Sequence, residues 1–136
     1  MDDRQHDIRW KQRFQNFEKA FQLLERALSI ENPSEVELGG IIQFYEMAFE
    51  LAWKLMKDYL DEQGFLVKTP RQSIKQAFQI GIIANGHVWI DALDDRNITT
   101  HTYDEATAMK VVSTIRKSYF PALRQLYEHF QTEMLS

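Results

Sequence analysis

The segment that most constrains the fold is residues 35–63, because its apolar side chains cover far more than one face of a helix. One stripe at helical spacing consists of Ile41, Phe44, Tyr45, Ala48, Ala52, Leu55, Met56 and Tyr59, and a second set consists of Ile42, Phe49, Trp53 and Leu60. A helix that is apolar around most of its circumference has to be buried on several sides. We therefore expect this segment to be either the central helix of a bundle or a helix shared with a second subunit.

Helix caps and breakers delimit this segment and the helix before it. Apolar residues at three- and four-residue steps predict a first helix over about residues 7–30, ended by the Asn32-Pro33-Ser34 break. Ser34 and Glu37 then match a capping box, in which each side chain accepts a hydrogen bond from a backbone amide of the other residue. The second helix should therefore begin after Ser34 and end near Gln63.

Three further helices are predicted in the second half of the sequence. Thr69-Pro70 should open a helix that ends around residue 81, with Thr69 as N-cap and Gln72 completing a capping box. A short helix should then cover about residues 87–96, and a long last helix about residues 103–134. Pro121 should kink the last helix near Lys117, because its ring displaces the carbonyl group four residues back.

These elements predict an all-α fold. The sequence shows no strand-like alternation and no internal repeat. We expect one domain over residues 1–136, folded as an antiparallel up-and-down helical bundle that is four-helix-bundle-like, with about five helices. The broad apolar surface of the second helix, or the last helix, should pair two copies of the chain as a homodimer.

The composition restricts the possible functions. The 136 residues include no cysteine, which excludes disulfides and thiolate metal sites, and no metal or cofactor motif occurs. The charged start does not resemble a signal peptide, and no apolar run is long enough to cross a membrane, so we expect a cytoplasmic protein without membrane association. The formal net charge of −4 argues only weakly against nucleic-acid binding, because basic patches can be local.

Residues 94–105 read DDRNITTHTYDE and differ from the amphipathic helices around them. Arg96 and His101 would face about 140° apart on one continuous helix. A helix end between them removes this objection: the fourth helix should end near Arg96, and Thr102 with Glu105 should cap the fifth. His101 would then lie just outside a helix N-terminus, where free amides and the helix dipole favour an anion such as phosphate.

Arginine and histidine suffice for RNA cleavage without a metal. Arg96 can bind a phosphate through a bidentate fork, and His101 can transfer a proton near neutral pH. The ribose 2′-hydroxyl must be deprotonated, and the pentavalent transition state needs cationic stabilisation. Spacing alone favours a plainer alternative, a helix–helix corner in which Arg96 pairs with Asp94 or Asp95.

The segment also resembles a known signature. Residues 96–103, R-N-x-x-x-H-x-Y, are similar to the R-x4-H-x-Y motif of HEPN-domain toxins. Over about residues 7–132 the chain resembles the nucleotidyltransferase substrate-binding-protein branch of that superfamily. The supporting segments are R-W-x-x-R-F at residues 9–14, F-Y-E-M-A-F-E-L-A-W-K at 44–54, and T-P-R-x-x-I-x-x-A at 69–77.

The resemblance implies an all-helical homodimer encoded beside a minimal nucleotidyltransferase, the two forming a toxin–antitoxin pair. It assigns Arg96 and His101 as the catalytic pair of a metal-independent ribonuclease whose site forms across the dimer. Asn97 would be a supporting polar residue, and the nucleotidyltransferase would silence the enzyme by transferring AMP to Tyr103. The expected partners are RNA, the nucleotidyltransferase and a second copy of the chain, with no metal and no cofactor.

The resemblance also carries an alternative function. The chain could be the non-catalytic substrate-binding subunit of a two-component nucleotidyltransferase, because the family fold is similar to the helical domain of aminoglycoside-modifying nucleotidyltransferases. The same residues 96–103 would then bind a substrate or position the partner without hydrolysis. A third possibility is a helical interaction module in which this segment is only a corner.

Overall fold

The computed structural model describes the backbone of residues 3–99 and 104–136, and the side chains of residues 8–96 and 104–136. Every element in these ranges is helical, which confirms the predicted all-α bundle. The helices are α1 (Asp3–Leu28), α2 (Glu35–Glu62), α3 (Pro70–Gln79), α4 (Gly86–Thr99), α5 (Glu105–Thr114) and α6 (Phe120–Met134), with a π-helical segment (Ile115–Tyr119) between α5 and α6. No helix in the described ranges is both long and apolar enough to cross a membrane.

α2 is the central helix of the bundle. It packs against α1, α3, α5 and α6, which explains why its apolar residues surround it. Since α1 and α2 are long neighbours joined by only a few residues, they run antiparallel. The buried side chains of α2 include most of the two predicted sets, while Phe44, Trp53 and Tyr59 lie at the edge of the core. The expectation of a central helix is confirmed; the alternative of a helix shared with a second subunit stays a prediction.

Aromatic side chains hold α1 and α6 together. Phe14, Phe17 and Phe21 are buried, as expected for the core face of α1. Phe21 stacks on Phe120, with ring centroids 5.1 Å apart, and on Tyr127 at 4.7 Å. Such pairs add about 0.5–1.5 kcal/mol each beyond the burial of their area, so this layer fixes how α6 lies on α1.

The predicted caps of α2 and α3 are largely confirmed. Ser34 and Glu37 form the complete capping box at the start of α2. At α3, the Thr69 hydroxyl accepts from the Gln72 amide, but the Gln72 side chain accepts from the amide of Lys68 rather than that of Thr69. The second capping box is therefore wrong in one of its two hydrogen bonds.

The helix ends near the polar segment differ from the prediction. α4 continues past Arg96 to Thr99, and α5 begins at Glu105. The N-cap of α5 is Asp104, whose carboxylate accepts from the amides of Ala106 and Thr107 at 3.2 and 3.3 Å. The capping box expected from Thr102 is therefore wrong: Asp104 lies next to the first helical residue and carries a charge that suits the positive end of the helix.

Pro121 changes the form of the last helix. The amide of Phe120 donates to the carbonyl of Ile115, five residues back, so a wide turn lies where we expected the helix to be distorted, around Lys117. Proline has no amide to donate to the carbonyl four residues before it. The chain absorbs this missing bond in the π-helical segment and continues without interruption into α6.

Candidate functional site

The last turns of α4 carry three consecutive charged side chains, residues 94–96, which bind three different elements. Asp94 accepts from Arg71 Nη2 of α3 at 2.7 Å, and both side chains are about half exposed. Asp95 accepts a hydrogen bond from the hydroxyl of Tyr119, at the end of the π-helical segment. The C-terminal part of α4 is therefore tied to α3 on one side and to the π-helical segment on another.

The third side chain, Arg96, crosses to α2. Its Nη1 donates to Glu50 Oε2 at 2.5 Å, and its guanidinium carbon lies 6.0 Å from the centroid of the Phe49 ring. Glu50 Oε2 also accepts from Trp53 Nε1 at 3.1 Å, and Glu50 Oε1 lies 3.6 Å from Lys54 Nζ. Glu50 and Phe49 thus hold the Arg96 guanidinium in place, while 29% of the Arg96 side chain remains exposed to solvent.

The expected pairing of Arg96 with Asp94 or Asp95 is wrong. Those two carboxylates bind Arg71 and Tyr119, and the ion pair of Arg96 is with Glu50. The arginine is held by a carboxylate 46 positions earlier in the chain, so a corner at this segment would be closed by a long-range ion pair and not by a local one.

A layer of tyrosines lies beneath this part of α4. Tyr45 of α2 is buried and stacks on Tyr119, with ring centroids 5.6 Å apart and planes 18° from parallel. Burial raises the pKa of both phenols; beside Tyr119, the hydrogen bond to Asp95 and the charge of that carboxylate raise the pKa further. Both phenols are therefore neutral at neutral pH, where the Tyr119 hydroxyl acts as a hydrogen-bond donor. A cavity of about 170 Å³ lies beside the pair, against α5.

The N-terminus of α5 does not offer the free amides that we expected for phosphate. The Asp104 carboxylate already accepts from the first free amides, and its hydrogen bonds with Thr107 and Ala106 lower its pKa. An anion at this point would meet a carboxylate. Asp104 therefore occupies the helix end at which we expected a phosphate.

Of the other predicted site residues, Asn97 belongs to α4, but its side chain lies outside the described residues. His101 and Tyr103 also lie outside the described residues, in the connection between α4 and α5. The structure thus describes one member of the predicted catalytic pair. Among residues 8–96 and 104–136, no three His, Asp or Glu side chains are grouped so that they could hold a metal ion.

Sequence reasoning missed Glu50 and Tyr119. Glu50 lies in a segment rich in apolar residues and is separated from Arg96 by the second half of α2, all of α3 and most of α4. The spacing to Trp53 was a usable signal, because residues three apart on a helix lie on one face and an indole donor needs an acceptor. For Tyr119 no such signal exists, since its direction depends on the π-helical segment.

A family model, a curated protein and a solved structure are similar to this chain. The model of the family described as "nucleotidyltransferase substrate binding protein like" matches residues 12–132. A curated protein of Haemophilus influenzae, "Probable ribonuclease HepT", is 32% identical over 83 residues, which is 57% of this chain and 57% of that protein. The chain thus spans somewhat more than half the length of that relative. A crystal structure of a protein from Thermus thermophilus superposes with a TM-score of 0.75 at 31% identity, covering 81% of this chain and 94% of that one.

Proposed function

This chain belongs to the nucleotidyltransferase substrate-binding-protein-like family of HepT-like HEPN proteins, and we propose that it is a metal-independent endoribonuclease using Arg96 and His101. The observation that carries the proposal is the placement of Arg96. Glu50 orients the Arg96 guanidinium, which is partly exposed. Arg96 itself lies three residues before the end of α4, and the chain continues from there to His101.

The chemistry divides between the two residues. Arg96 binds the scissile phosphate and stabilises the negative charge that develops on its oxygens in the transition state. His101 acts as the proton-transfer group for the ribose 2′-hydroxyl or the leaving oxygen, a task that suits a side chain titrating near neutral pH. Asn97 assists as a neutral hydrogen-bonding group one position along the helix from Arg96.

A homodimer would complete this site. One guanidinium already balanced by Glu50 attracts RNA weakly, and the formal net charge of the chain is −4. Two copies of residues 96–101 facing one groove would concentrate positive potential where the phosphates pass. The composite site at a dimer interface is therefore part of the proposal.

Regulation would come from a partner nucleotidyltransferase. Transfer of AMP to the hydroxyl of Tyr103 would place a phosphate and a bulky adenosine two residues from His101. The modification would block access of RNA to the site and cancel part of its positive charge. The chain would thus act as the toxin of a toxin–antitoxin pair whose other member is a minimal nucleotidyltransferase.

The cleavage proposal is tested with purified protein and a fluorogenic RNA in the presence of EDTA. Wild-type protein should cleave the RNA, and His101→Ala should abolish cleavage. The matched control is His87→Ala, which removes a histidine near the start of α4 and should leave the rate unchanged. Cleavage that persists in His101→Ala protein refutes the assignment, because it has another source.

The regulatory step has its own experiment. Incubation with the partner nucleotidyltransferase and ATP should add the mass of AMP to the intact chain and stop RNA cleavage. Tyr103→Phe should prevent the addition, whereas Tyr127→Phe should not. Equal modification of both variants would show that Tyr103 is not the acceptor.

A second candidate function follows from the family description itself, which names substrate binding to a nucleotidyltransferase. In that case the chain is a non-catalytic subunit, and Arg96 holds an anionic group of the substrate. Purified protein would then cleave no RNA, and transfer of a nucleotide to a small substrate would occur only when both proteins are present. Loss of this transfer in Arg96→Ala would favour the second function over the first.

A further inference from the structure

Among the hydrogen bonds that the described side chains of α4 form with neighbouring elements, the one between Tyr119 and Asp95 is the most enclosed. Tyr119 is 7% exposed, and its ring is covered by Tyr45. The link formed by Asp94 and Arg71 is about half exposed, and pairs of that kind contribute little because solvent screens them. Glu50 binds the end of the Arg96 side chain rather than the helix backbone beside it.

The π-helical segment is what allows Tyr119 to reach α4. Tyr119 faces Asp95, while the next residue, Phe120, stacks on Phe21 of α1. Adjacent helical residues point about 100° apart. Tyr119 can therefore contact Asp95 while Phe120 stacks on Phe21 only at one rotational setting of the helix. One wide turn shifts that setting by one residue relative to a regular α-helix, and such turns are frequent at functional sites.

We propose that Asp95 and Tyr119 are positioning residues for the site at Arg96. Their hydrogen bond fixes the rotation of the last turns of α4, and with it the direction in which the Arg96 side chain leaves that helix. Asp95 and Arg96 are neighbours on the same turn, so a small rotation that loosens Asp95 also displaces the Arg96 guanidinium. The kinetic part of this inference rests on the proposed ribonuclease function.

Tyr119→Phe is the variant that isolates this role, because it deletes one hydroxyl and keeps the ring that stacks on Tyr45. The chain offers a matched control in Tyr127, whose hydroxyl donates to Glu18 at 2.7 Å between α6 and α1. Both substitutions remove a hydrogen bond from a tyrosine to a carboxylate. They differ in whether that bond touches the turn that carries Arg96.

Tyr119→Phe should lower the kcat of RNA cleavage about tenfold and leave KM within about twofold of wild type. A displacement of a catalytic group by 1 Å can lower the rate about a hundredfold, and we expect the Arg96 guanidinium to move by well under 1 Å. Tyr127→Phe should leave both constants within about twofold of wild type, with a similar loss of thermal stability. Asp95→Asn keeps an acceptor for the hydroxyl and should retain most of the rate, whereas Asp95→Ala should behave like Tyr119→Phe. Combining Asp95→Ala with Tyr119→Phe should cause no further loss.

Equal kinetic effects of Tyr119→Phe and Tyr127→Phe would overturn the inference, because they would reflect general stability. Additive losses in the double variant would overturn it as well. If wild-type protein cleaves no RNA, the proposed function fails, and NMR of the Arg96 Nε–H group decides the inference by itself. That resonance should shift in Tyr119→Phe and not in Tyr127→Phe; an unshifted resonance in Tyr119→Phe refutes the positioning role.

Discussion

Glu50 should oppose the binding of a phosphate to Arg96, and its charge can be removed with little change in shape. In Glu50→Gln the side-chain oxygen still accepts from Arg96 and from Trp53, so the guanidinium keeps its orientation. What is lost is one negative charge beside the phosphate site. We therefore expect tighter binding of nucleic acid and a nearly unchanged kcat.

The size of the effect follows from the geometry. A phosphate on the outer side of the Arg96 guanidinium would lie about 6–7 Å from the Glu50 carboxylate, where repulsion between unit charges is about 0.6 kcal/mol in bulk water and about 2.5 kcal/mol at an effective dielectric constant of about 20. The Arg96 and Glu50 side chains are 29% and 39% exposed, so solvent screens much of this repulsion. About 1 kcal/mol remains, which corresponds to about a fivefold lower Kd.

The assay separates binding from cleavage. A fluorescent oligodeoxynucleotide lacks the 2′-hydroxyl and should bind without being cut, so its anisotropy reports Kd alone. Glu128→Gln is the control, because it removes a carboxylate of α6 and changes the net charge of the chain equally. A Kd for Glu50→Gln that is unchanged, raised, or lowered no more than that of Glu128→Gln refutes the reasoning.

Three predictions concern the fold and its stability. Arg13→Met removes the partner that lies 2.9 Å from the buried Asp58 carboxylate, which is 6% exposed. The free energy of urea unfolding should fall by about 2 kcal/mol, less than for a fully buried pair because Arg13 is partly exposed. No loss would mean that water replaces the arginine. Leu55→Ala opens a cavity at the centre of α2 and should cost about 2–5 kcal/mol in the same experiment, whereas Leu66→Ala, at an exposed position, should cost almost nothing. Asp104→Ala should lower the thermal midpoint at neutral pH but not in strong acid. The pKa of this carboxyl is lowered in the folded state, so its contribution to stability is present above the unfolded-state pKa and is lost as pH falls through the folded-state pKa. An equal loss at both pH values would contradict the capping role.

Arg96 lies among side chains of both charges. Glu50 accepts from the Arg96 guanidinium and lies 3.6 Å from Lys54, and Asp94 in the same helix pairs with Arg71. Binding of a phosphate at Arg96 would therefore depend on the geometry of these individual groups. Under the proposed function, activity would depend on the orientation of a few groups rather than on broad attraction to nucleic acid.

Features that depend on neighbours along the chain could be read from the sequence alone. The helical class, the central position of α2 and the cap at Ser34 follow from apolar periodicity and from hydrogen bonds that span three or four residues. The choice of Arg96 as a site residue also came from a short local signature, and it stays a prediction. For the same reason the N-cap of α5 was misread: Thr102 and Asp104 both have capping side chains, and the local pattern does not rank them.

The partners of the charged residues 94–96 depend instead on the tertiary structure. Arg96 pairs with Glu50 rather than with Asp94 or Asp95, and Asp95 accepts from Tyr119, because the rotational settings of α2, α4 and the π-helical segment bring these groups together. Those settings result from the packing of the whole core, including the aromatic layer beneath α4 and the missing amide of Pro121. No pattern of spacing within the segment DDRNITTHTYDE contains that information, since each of these partners lies on a helix that the fold, and not the chain order, places beside it.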